Sequence, residues 1–85
     1  MVKIYAVRDQ YTGYGQPFSC QSDAVAMRDF RIAVANVDNL MHACPKDFDL
    51  MRLGEYDSET GIIIPENVPV LVVSGMSVVK EDANA

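Results

Sequence analysis

Val2, Ile4 and Ala6 alternate with Lys3, Tyr5 and Val7, the two-residue period of a half-buried strand that starts almost at the first residue and ends near Arg8 and Asp9. Residues 10–15 hold two glycines and two tyrosines, which predicts a turn or wide hairpin, with residues 17–21 as a short returning strand. Pro17 places that strand at a sheet edge, because proline has no N–H to give a ladder. The period then changes. Ser22 is a good N-cap, Asp23 complements the helix dipole in the first turn, and residues 24–35 contain neither Gly nor Pro. Ala26, Met27, Phe30, Ala33, Val34 and Val37 recur at three- and four-residue spacing, a core-facing stripe for a helix lying on a sheet. Asn36 to Asn39 ends this helix.

Residues 40–47 read as irregular, with one short helical turn before Pro45, and lead into a strand over 49–56. The run 54–61, Gly-Glu-Tyr-Asp-Ser-Glu-Thr-Gly, reads as a hairpin connection. Asp57 accepts from backbone N–H groups ahead of it, Ser58 and Glu59 suit a type I turn, and Gly61 supplies the positive φ of the bulge that follows. Residues 61–64 return, Pro65 and Pro69 bracket a kink, and residues 70–73 form a further strand with a continuous apolar run. Residues 79–85 read as a frayed tail. The order predicts an α+β fold: a small, mostly antiparallel sheet, β-β-α-β-β with room for a fifth strand, and one helix on one face. An all-β barrel of the oligonucleotide-binding type is the alternative, which the well-marked central helix disfavours.

At 85 residues the chain is read as a single domain. A domain of this size buries only about 60–65% of the surface its unfolded chain exposes. An apolar fraction of 49% with five Met leaves surface for a partner, so a homodimer is expected. The formal charge of −5, from 12 acidic against 7 basic residues, opposes general polyanion binding; nucleic-acid contact requires local clustering of the cations. The most apolar run, residues 68–79, is interrupted by Pro69, Ser74, Gly75 and Ser77 and is too short to cross a bilayer, so no membrane association is expected. With no leader-like segment before the first strand, Cys20 and Cys44 are expected as free thiols in a reducing cytoplasm.

Little catalytic chemistry is visible. His42, Cys44 and Cys20 lack the paired spacing of a structural zinc site, and His42 with Cys44 lacks a third orienting group for nucleophilic catalysis. The pairs Asp47 with Asp49 and Asp57 with Glu59 adjoin turns, where acidic residues serve solvation and local hydrogen bonds. Gly13-Tyr14-Gly15 is only a lone G-x-G with no helix directly after it. The expectation is therefore no enzyme, no metal and no cofactor. Tyr5, Tyr11, Tyr14 and Phe18 lie near Lys3 and Arg8 in sequence, and aromatic side chains beside cations can stack and hold single-stranded DNA, with Tyr11 and Tyr14 as the candidates. Arg28 and Arg31, one helical turn apart, add candidate phosphate contacts. Surface tyrosines also cap cores and serve protein interfaces, which is the competing account.

Pro17-Phe18, the helix from Ser22 through Arg28 to Phe30, the segment Pro45-Lys-Asp-Phe-Asp-Leu50 and Gly54-Glu-Tyr-Asp-x-x-Thr-Gly61 together resemble the small nonstructural protein of gokushovirus-type microviruses, which are single-stranded DNA phages. The likeness runs over roughly residues 2–65 in the same order and spacing, and weakens from Glu66 onward. It implies a DNA-binding or nonstructural role at the switch from duplex replication to synthesis and packaging of single strands, in the cytoplasm of the infected bacterial host. It brings no binding residues with it. Two mechanisms suit the residues. In one, a dimer brings Lys3, Arg8, Tyr11 and Tyr14 of two subunits into a basic aromatic groove whose hold on DNA weakens with salt. In the other, an acidic surface including Asp57, Glu59 and Glu66 docks on a phage or host replication protein or a capsid precursor, as a scaffold-like module without tight DNA binding.

Overall fold

The computed structural model describes residues 1–83, with side chains described through Lys80. Strand β1 (Val2–Asp9) runs through the middle of the sheet. The two-residue β2 (Gly13–Tyr14) and the short β3 (Phe18–Cys20) pair antiparallel with the two halves of one of its edges. Helix α1 (Asp23–Ala35) and the single turn α2 (Leu40–Ala43) follow, then a 3-10 turn (Pro45–Asp47). Strand β4 (Phe48–Tyr56) pairs antiparallel with the other edge of β1, and β5 (Ile63–Ser74) closes the order β2-β1-β4-β5. A third helix, α3 (Gly75–Ala83), follows directly. The architecture is α+β, with an open antiparallel sheet of five strands rather than a closed barrel.

Helix α1 begins where its cap predicts. The Ser22 hydroxyl accepts from the Val25 N–H, and Ala26, Phe30 and Val34 are buried against Tyr5, Phe48, Leu50 and Val73 of the sheet. Met27 and Ala33 pack at the margin of that core. Val37 does not join the stripe: Asn36 is already extended as the C-cap, the chain leaves the helix, and Val37 is 74% exposed.

The β4–β5 turn has the predicted chemistry. Asp57 Oδ1 accepts from the Glu59 N–H, the Asp57 carbonyl accepts from the Gly61 N–H, and Gly61 sits at φ +76°, a region open to glycine at little cost. Beyond it, the expected short strand, kink and further strand are one long strand. The Pro65–Pro69 interval appears as a break in register, with Gly54 opposite Pro65 but Arg52 opposite Val70. Residues 66–69 therefore bow out opposite Leu53 alone, as a large bulge that holds Pro69 and leaves Pro65 paired at its margin. The fifth strand comes instead from β2. Residues 70–73 are also less buried than a continuous apolar run suggests, since β5 lies at the sheet edge and leaves Leu71 exposed.

Two corrections concern the end of the chain. Helix α3 also packs on the core: the Ser74 hydroxyl accepts from the Ser77 N–H at its start, and Val78 is fully buried. The stretch read as a tail from residue 79 is helical through Ala83, and residues 84 and 85 lie outside the described residues. Among the described residues no helix is long and apolar enough to cross a membrane.

Candidate nucleic-acid interface

The β1–β2 hairpin is built around Asp9. Its Oδ1 accepts from the Tyr11 N–H and its Oδ2 from the Thr12 hydroxyl, fixing the turn in which Tyr11 stands. The Gly15 N–H donates to the Val7 carbonyl, closing the return. The base of the hairpin is tied down from the other side: the Gln10 backbone N–H donates to the Asp47 carbonyl, and Gln10 Nε2 to Asp47 Oδ1, both at 3.0 Å. Arg8 and Tyr14 face one another in register across β1 and β2. Directly opposite partners in an antiparallel pair place their Cβ atoms within about 5.5 Å, so cation and ring share one face of the hairpin. Tyr11 is 78% exposed and Tyr14 48% exposed. Arg8 is exposed as well, with no carboxylate at ion-pair distance among the described residues. Three of the six candidate residues thus converge on one ordered hairpin, though Asp49 lies opposite Arg8 on β4 and limits the local positive field.

The other three are elsewhere. Lys3 sits at the far end of β1 beside β3 and approaches Asp23 at 4.0 Å. Arg28 and Arg31 ride on α1, Arg28 exposed and Arg31 half-buried. That helix packs on the Tyr5 and Leu50 side of the sheet, and Val7 also borders this core. Side chains alternate along a strand, so Arg8 points away from α1. A single monomer therefore does not combine the helix arginines with the hairpin tyrosines.

The acidic candidates also separate. Asp57 and Glu59 share the β4–β5 turn, where the Glu59 N–H holds the Asp57 carboxyl below its usual range. Glu66 is engaged: its Oε1 accepts from Arg52 Nε at 3.0 Å. Arg52 in turn donates to Asp23 Oδ2 at 2.7 Å, and Asp23 Oδ1 accepts from the Tyr5 hydroxyl at 2.6 Å. Burial and then the Asp23 carboxylate push the Tyr5 hydroxyl well above the ordinary phenol range. This network joins β1, the start of α1, β4 and β5. Sequence reading did not find it, because its members are 14 to 29 residues apart. Only the unusual position of Arg52 within an apolar strand hinted at it.

Tyr5 also stacks on Phe18, ring centroids 6.0 Å apart at 26°, so Phe18 serves the structure of β3. Cys20 and Cys44 are free and half-buried; burial and the neighbouring Asp29 raise the Cys20 thiol. His42 is anchored through Nδ1 to the Val34 carbonyl at 2.9 Å. Among the described residues no group of three His, Cys, Asp or Glu side chains could hold a metal ion.

In comparisons with known proteins, no curated protein and no solved structure matches the chain. A protein-family match does cover most of its length, from the first strand into α3: over residues 2–78 the chain belongs to the phage ORF5 protein family.

Proposed function

We propose that this phage protein acts in the synthesis and packaging of a single-stranded DNA genome, as a nonstructural factor in the cytoplasm of the infected bacterium, and that it touches single-stranded DNA through the β1–β2 hairpin. The observation that carries the reading is the pairing of Arg8 with Tyr14 beside the exposed Tyr11 on a hairpin braced by Asp9 and Asp47. Bases stack on exposed aromatic rings whatever their sequence, and a neighbouring guanidinium holds the phosphate. Each stacked base contributes about 1–3 kcal/mol. Among the described residues Arg8 is the one cation at the hairpin without a carboxylate at ion-pair distance, so affinity comes mainly from stacking. The salt slope is then shallow, near −0.7 for one phosphate neutralised on a single strand.

The acidic docking module is the second reading, a surface for a replication protein or capsid precursor. Its support is weaker, because Glu66 is held by Arg52 and only Asp57 and Glu59 stand together. The absence of Trp makes the test direct. Tyrosine emission is titrated with oligothymidylate and with duplex of equal length. Quenching by the single strand that is lost in Tyr11→Ala with Tyr14→Ala supports the hairpin. Unchanged emission at low salt favours the docking surface.

A further inference from the structure

We propose that the β5 edge is the surface through which two copies of this chain associate. This rests on the apolar surface of that strand and is independent of the DNA reading. Ile62, Ile63, Ile64, Val68 and Leu71 are all exposed, Ile63 at 61% and Val68 at 69%. β5 is the terminal strand of the sheet, so one of its two edges has no neighbouring strand among the described residues. Exposed edges in soluble proteins are usually shielded by charge. Here residues 60–74 contain one charged side chain, Glu66, and Arg52 engages it.

Charge decides which occupant fits. The chain carries −5 overall, so two copies repel wherever their acidic surfaces meet. Residues 60–74 are the least charged approach for a second copy, with Glu55 opposite Ile64 and Asp57 and Glu59 in the adjoining turn at its margin, whereas a nucleic acid or an acidic protein finds no countercharge there. Area agrees. Side chains alternate along a strand, so these five divide between the two sides of β5; together they expose on the order of 500 Å², and a partner that wraps the edge covers over half of the about 800 Å² that a standard interface takes from each partner. Pro65 and Pro69 deny a continuous ladder to a chance neighbour, so side-chain packing about a two-fold axis holds the pair. In such a dimer the two β1–β2 hairpins lie at opposite margins of the assembly, since β2 is at the far end of the strand order from β5. The two hairpins then act as separate DNA contacts and do not close a shared groove.

The test is mass in solution by sedimentation equilibrium, from micromolar to several hundred micromolar, on wild type, Ile63→Lys and Val68→Lys, with far-UV circular dichroism on each. Both side chains are already exposed, and Val68 lies in the bulge that makes no pairing with β4, so the fold is retained. The expected result is a mass of twice 9.4 kDa for wild type and a dissociation constant raised at least tenfold in each variant with an unchanged spectrum. A wild type that stays monomeric throughout overturns the proposal. So does a dimer that both lysine variants leave intact. Should Ile63→Lys lose its spectrum, Val68→Lys decides the matter alone.

Discussion

Replacing Asp23 with alanine tests whether the Tyr5–Asp23–Arg52–Glu66 network fixes the start of α1 on the sheet. Three contributions are lost together. The Tyr5 hydroxyl, on a fully buried residue, loses its acceptor at 2.6 Å, and stranding a buried polar group costs about 1–3 kcal/mol. The Arg52 ion pair at 2.7 Å is lost; with the Asp23 side chain 36% exposed, solvent screening holds that share to about 0.5–1 kcal/mol. The carboxylate also leaves the first helical turn, worth about 0.3–1 kcal/mol. Because the three share one side chain they do not add fully, and the expected loss is about 2–3 kcal/mol. Urea unfolding followed at 222 nm measures it. A double-mutant cycle with Tyr5→Phe isolates the hydrogen bond, with an expected coupling of about 1.5 kcal/mol for a bond to a charged acceptor. A loss below about 0.5 kcal/mol, or a coupling of about zero, refutes the reasoning.

Other consequences are checked in the same way. Tyr5 stays protonated in the folded chain after the unfolded chain ionises near pH 10, so above that pH the unfolded state binds fewer protons. Stability should therefore fall as pH rises from about 10, and Tyr5→Phe should flatten this alkaline limb in pH-dependent urea melts. Gly54→Ala should cost about 1–3 kcal/mol, because a Cβ there runs into the Ile64 carbonyl oxygen and backbone must shift; the urea midpoint reports it. Leu50→Ala empties the centre of the core and should cost about 2–5 kcal/mol by the same assay.

Where sequence logic was local, it reached the structure. Ser22, Asp23 and the spacing of Ala26, Phe30 and Val34 specify α1, and Asp57 with Gly61 specifies the turn between β4 and β5. Two prolines misled the reading of β5, since an edge strand tolerates Pro65 opposite Gly54 and a bulge takes up Pro69, neither ending the pairing. Helix α3 was hidden because Val78 and Val79 extend an apolar run that resembles strand, while its signal was the small Ser74 cap acting three residues ahead. Arg8 and Tyr14 could be named from composition, but their opposition depends on a two-residue strand too short to carry a period. The separation of the helix arginines from that hairpin depends on which sheet face α1 covers, a tertiary matter.

The most direct test of the account is fluorescence anisotropy of labelled single- and double-stranded oligonucleotides titrated with wild type, Tyr14→Ala and Arg28→Glu/Arg31→Glu at low and physiological salt. The account predicts preference for the single strand, a fivefold or greater loss in Tyr14→Ala corresponding to about 1 kcal/mol or more of stacking, and much smaller change in the helix variant. No binding at low salt, or loss in the helix variant alone, would contradict it.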